Sequence, residues 1–207
     1  MYFHLKCSLR FTKVWSLIAY LRKLALHEQN VASLVEIFNS LFEASEQTVL
    51  ITGANEPIYL PGTETGGLNQ LITTHDYFSS ALHEVSHWCI AGSERRKLRD
   101  FGYWYKPDGR TASEQIEFEQ VEVKPQALEW LFTEACKLKF RLSVDNLNQP
   151  EVGASESFQR AVAAQTHRYL EKGLPSRAEL FFQALVKYYR PNDRKIEKTA
   201  FSLSSLT

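Results

Sequence analysis

His83 and His87 stand four residues apart in the run His83-Glu84-Val85-Ser86-His87, an H-E-x-x-H pattern. On a helix, that spacing sets both imidazoles on one face, close enough to share one metal ion. Glu84 falls beside them, where it can polarise a bound water or orient a ligand. The plain alternative is two histidines that happen to share a helix face. Two imidazoles do not complete a site, so a third ligand has to come from elsewhere in the chain.

A second long helix, predicted to open at Thr111 or Ser113 and to reach about Lys137, offers Glu119, Glu122 and Glu129. Its residues Phe118, Val121, Pro125, Leu128 and Phe132 form one apolar stripe, and Val123, Ala127 and Trp130 carry apolar surface to other faces. Such a helix is expected to be buried nearly all round, where an isolated carboxylate is costly and needs a partner or a cation. Glu122, at the edge of the stripe, is the expected third ligand; Glu119 is the substitute, and a salt bridge to Arg or Lys is the plain alternative. Two histidines and one carboxylate serve two chemistries. With zinc they make a hydrolase site with Glu84 as general base; with Fe(II) they leave positions open for dioxygen. The H-E-x-x-H spacing leans towards the first, and ligand type alone does not separate them.

The elements that must position these residues are legible from periodicity and punctuation. Val31 to Phe42 has a helical apolar rhythm. Thr48 to Thr52, Pro57 to Pro61 and Leu68 to Thr74 read as strands or extended pieces, with a turn or loop over Gly62 to Gly67. The motif helix is predicted from Asp76, as N-cap, to Ala91, with Gly92 as C-cap and Phe78, Ala81, Leu82, Val85 and Cys89 facing the core. Phe101 to Tyr105 looks extended, Pro107 to Arg110 is a turn, and Phe140 to Asp145 is a further strand candidate. Helices over Ser155 to Lys172 and Ser176 to Tyr189 follow, then a polar tail from Pro191 that is expected to be loose. The result is an α+β domain with a small sheet packed against several helices.

At 207 residues the chain is one domain's worth, and 44% hydrophobic residues suffice for an ordinary core. Lys+Arg and Asp+Glu are equal at 24 each, so no general basic surface points to nucleic acid. Cys7, Cys89 and Cys136 are odd in number and scattered without a CxxC, which argues against a disulfide framework and for a reducing compartment. Residues 1–26 hold a mildly basic start and an apolar run from Val14 to Leu26, interrupted by Arg22 and Lys23 and too short to span a bilayer. They are expected to be an appendage, either an amphipathic helix or a non-native start, ahead of a domain at 27–190 and a tail at 191–207. No membrane association and a cytoplasmic location follow as expectations.

Several stretches together resemble a known family. They are Glu56 to Pro61, Ala81 to Gly92, Asp100 to Tyr105 with Pro107 to Arg110, and Val121 to Leu128. In order and spacing, from about Val31 to Tyr189, they are similar to the bacterial elongation factor P hydroxylases. The resemblance implies a zincin-like α+β fold and hydroxylation of the β-lysyl-modified lysine of elongation factor P. It also implies a divalent metal, with Fe(II) the expected one, whose motif maps onto His83 and His87, with Glu122 placed third. Elongation factor P is then the expected partner, with no direct nucleic-acid contact. A substrate bearing amino groups calls for further carboxylates, and Asp108 and Glu119 are candidates; His75 and Arg110 are also candidate substrate contacts. The cluster Glu94 to Arg99 is either a docking site for an acidic partner or a solvated stretch at a helix C-terminus.

Overall fold

The computed structural model describes residues 30–101, 110–144 and 154–206. The apolar rhythm after Asn30 becomes α1 (Val31–Glu46), whose first turn is capped by the Asn30 side chain accepting from the Ala32 amide at 3.0 Å. Gln47 then takes a left-handed conformation and turns the chain into β1 (Thr48–Ala54). The short β2 (Ile58–Leu60) lies between its two prolines as expected. Gly62 to Gly67, read as a turn or loop, instead contains one helical turn, α2 (Gly62–Thr65), which leads to β3 (Asn69–Thr74). The sheet order is β1-β3-β2, with β1 parallel and β2 antiparallel to the central β3. Tyr59 extends the ladder outwards by a bridge to Asp100, its amide donating at 2.7 Å and its carbonyl accepting at 3.0 Å.

The motif helix is α3 (Phe78–Ile90), with Tyr77 as N-cap, one residue later than the sequence suggests. Asp76 does not cap it, because its carboxylate accepts from the Thr52 hydroxyl at 2.9 Å instead. Nor does Gly92 close it: the C-cap is Ala91, in an extended conformation. The carbonyls at this end are satisfied from outside the helix. Arg177 Nη2 donates to the carbonyls of Trp88, Cys89 and Ala91 at 2.9, 3.2 and 2.6 Å, which removes the need for a left-handed glycine.

The long α4 (Ala112–Ala135) begins at Thr111 with a capping box in which Glu114 reciprocates. Residues 138–144 do not form the strand expected near Phe140. The Ser143 amide and carbonyl pair with the side-chain amide of Gln126, and Arg110 takes the Val144 carbonyl, so no strand partner is sought. Helices α5 (Glu156–Lys172) and α6 (Ser176–Tyr189) match their predicted ranges to within a residue. The whole is α+β, with six α-helices and one three-stranded sheet among the described residues.

The core is aromatic where α1, α3, α4 and α6 converge. Phe38 and Phe42 meet Trp88 at 5.0 and 4.8 Å between centroids, and Phe132 meets Phe181 at 5.1 Å. Cys89 and Cys136 are free buried thiols in this core. The tail expected to be loose contributes to it as well. Phe201, between two 3₁₀ turns, is only 1% exposed and lies edge-on to Trp130 at 5.4 Å. No helix among the described residues is long and apolar enough to cross a membrane.

Candidate metal centre

Helix α3 packs against α4, and polar side chains meet across the contact between them. On α4, Glu119, Glu122, Gln126, Glu129 and Thr133 are all buried, a stripe at the 3-4-3-4 spacing of one helix face. The neighbouring apolar stripe does not all face inwards, and Val121 is 47% exposed. The helix therefore turns part of its polar face towards the histidines.

His83 and His87 meet that face one turn apart. Their Nε2 atoms are 3.1 Å from each other, and Glu122 reaches both, Oε1 at 3.2 Å from His87 Nε2 and Oε2 at 3.7 Å from His83 Nε2. The three residues offer donor atoms that all lie within 4.8 Å of one another. Ligands about 2.1 Å from a common ion, at angles between octahedral and tetrahedral, are separated by about 3.0–3.5 Å, so this spacing suits a first-row divalent metal. The donor set covers three positions and leaves others open.

Neighbouring side chains hold the set in place. Glu122, 1% exposed, accepts from the Gln126 amide at 3.2 Å. Burial works against its charge, but the imidazoles of His87 and His83 and the Gln126 bond outweigh it and hold the carboxyl down at about 2. His83 Nδ1 lies 2.8 Å from Glu129 Oε2. Burial again opposes the charged form of His83, but Glu129, then Glu122 and Glu84, raise it to about 10 when no metal competes for the site. For Glu84, burial raises the carboxyl against the opposing pull of His83 and His87. Glu122 and Glu129 thus face the imidazoles from α4, bringing negative charge that a bound cation would neutralise.

A cavity of about 190 Å³ opens beside this centre, with Glu84, His87, Arg95 and Asp100 among its lining residues. Leu71, Ile90, Val121 and Pro125 supply apolar walls.

Glu119 accepts from the Ser155 amide and hydroxyl at 3.3 and 2.5 Å, which ties α4 to the start of α5. Arg110 is buried, stacked 4.1 Å over Phe118 and bonded to Gln115 and the Val144 carbonyl, so it braces the 138–144 segment. His75 is exposed at the β3–α3 junction, in a left-handed conformation with its ring against Tyr77. Asp108, with Tyr103, Trp104 and Tyr105, lies outside the described residues. The cations of the basic cluster after α3 are paired: Arg95 with Asp100, Arg96 with Glu46, Lys97 with Glu94 and Arg99 with Glu64.

The polar stripe lies within a region that matches a known family. Residues 37–201 match the family model described as Elongation factor P hydroxylase. The chain belongs to this family. It is also 48% identical over 166 residues to the elongation factor P lysine hydroxylase of Haemophilus influenzae, covering 80% of this chain and 93% of that protein. Membership makes the protein a hydroxylase, and the hydrolase reading that the H-E-x-x-H spacing favoured gives way. Gln126 escaped the sequence reading, and Glu129 entered it only as an alternative ligand. The signal for both was the spacing of Glu119, Glu122, Gln126 and Glu129 on one face of a buried helix.

Proposed function

We propose that this protein hydroxylates a lysine of elongation factor P that carries a β-lysyl group, using Fe(II) held by His83, His87 and Glu122. Family membership supports the reaction. The observation that carries the site is the convergence of these three side chains from α3 and α4, with donor atoms 3.1, 3.2 and 3.7 Å apart. The helix bearing the motif beneath a small sheet is also what a zincin-like fold would contain. When bound, Fe(II) supplies the redox chemistry by which dioxygen and two reducing equivalents convert a C–H bond to C–OH, with water as the second product.

The chain's own residues perform the rest. Gln126 keeps Glu122 in its ligating orientation. Glu84, its carboxyl raised by burial, lines the cavity and can hold or release a proton there. The cavity suits one side chain, with apolar walls for methylenes and the Glu84 carboxyl for an amino group, while Asp100 in the same lining is paired with Arg95. At Tyr59 the outer edge of β2 is taken by the Asp100 bridge, which hinders an extended peptide from pairing there as a new strand. Delivery of a single side chain from a folded partner fits this arrangement better than threading of a main chain. A translation factor as substrate places the reaction in the cytoplasm.

The test is the intact mass of β-lysylated elongation factor P after incubation with the protein, Fe(II), a reductant and air. Gain of one oxygen atom, absent with His83→Ala, is the expected result. No mass change under any metal, together with hydrolysis of a peptide or RNA, would return the site to zinc hydrolase chemistry.

A further inference from the structure

Glu129 lies on the same face of α4 as Glu122, two turns further on, yet it approaches His83 from the opposite side of the ring. Its Oε2 is 2.8 Å from Nδ1, whereas Glu122 and His87 face Nε2. A carboxylate can only accept in this contact, so the ring proton belongs on Nδ1 and the Nε2 lone pair is directed at the ion. We propose that Glu129 is a positioning residue of the metal centre, fixing the tautomer and rotation of His83 and strengthening it as a ligand. The inference rests on the metal reading above and assigns Glu129 no contact with substrate.

Two features of the site support this role over simple packing. Glu129 is buried between α3 and α4, where an unpaired carboxylate would be costly, and no other hydrogen bond or salt bridge is recorded for its side chain among the described residues. His87 is held differently: among the described residues no partner is recorded for its Nδ1. The two imidazole ligands are therefore unequal, and a carboxylate behind one of them makes His83 the more basic donor. Loss of Glu129 should then affect the metal first and the fold second.

The experiment titrates Co(II) into metal-free full-length protein, reading affinity by chelator competition and geometry by the visible d–d bands. Glu129→Ala should weaken Co(II) binding by about 10–100-fold, the usual effect of removing a residue that orients a ligand. Glu129→Gln keeps an acceptor for Nδ1–H, and should recover most of the affinity while shifting the d–d bands because the charge is gone. If Glu129→Ala unfolds, the isosteric Gln variant carries the test. Wild-type affinity and an unchanged spectrum in Glu129→Gln, with Glu129→Ala either wild-type in affinity or unfolded, would overturn the proposal while His83→Ala still loses cobalt. Retention of cobalt by His83→Ala would bring down the metal assignment itself, and this proposal with it.

Discussion

Three side chains from two helices make the proposed centre, and each should fail separately. Glu122→Ala and His87→Ala should each remove stoichiometric metal, measured by elemental analysis, because two remaining ligands do not hold the ion. Glu119→Ala should keep it, since that carboxylate is occupied by Ser155. The metal-free protein should also carry a pH signature. His83 is raised from its ordinary 6.5 to about 10, so its contribution is fully present below 6.5 and is lost as pH rises towards 10. Glu122 is lowered from 4.5 to about 2, so its contribution is present above 4.5 and is lost as pH falls towards 2. Melting of chelator-treated protein between pH 6.5 and 10 should fall more steeply than melting of His83→Phe. The metal-loaded protein should lack the difference, because the ion replaces the proton. Parallel slopes for the metal-free protein and His83→Phe would count against the acidic cluster acting on His83.

Helix α3 presents the two histidines, but its C-terminal end is held by another element. Arg177, at the start of α6, collects three carbonyls there, lies 4.7 Å over the Trp88 ring and approaches Glu46 at 3.8 Å. The last turn of α3 includes His87, whose carbonyl accepts from the Ala91 amide at 3.0 Å. Arg177→Met should therefore cost about 2–4 kcal/mol in denaturant unfolding, since buried carbonyls and Glu46 lose a charged donor. It should also weaken metal binding through His87, with Arg177→Lys recovering only part of either loss. Unchanged metal affinity in a destabilised Met variant would confine Arg177 to stability.

Across the molecule, the sheet and the C-terminal segment frame the helix pair from opposite ends of the chain. Phe201→Ala should destabilise the fold by about 3–5 kcal/mol, because a fully buried ring leaves a cavity beside Trp130. A loose tail would instead tolerate the change within about 0.5 kcal/mol. At the other end, the proposed boundary near residue 27 precedes α1, and the family match begins at residue 37. Deletion of residues 1–26 should leave melting temperature and metal content as they are, and a marked drop in either would make that segment part of the domain.

Local signals along the chain specify much of this protein. The His83–His87 spacing, the helix start at Thr111 or Ser113, and the β-branched run at Thr48 each act within a few residues, so they can be read along the chain. What they could not supply was the partner of each polar group. Asp76 is a good N-cap by type, yet Thr52, twenty-four residues away, claims its carboxylate. Gly92 is a good C-cap by type, yet Arg177 satisfies the carbonyls at that helix end. Phe140 to Asp145 has strand character, but Gln126 takes the Ser143 backbone groups. The roles of Glu119, Glu122 and Glu129 were separated only by packing: one ties down α5, one faces both imidazoles, and one stands behind His83. A side chain's type and period belong to the sequence, but its hydrogen-bond partner depends on which distant element the core brings alongside it.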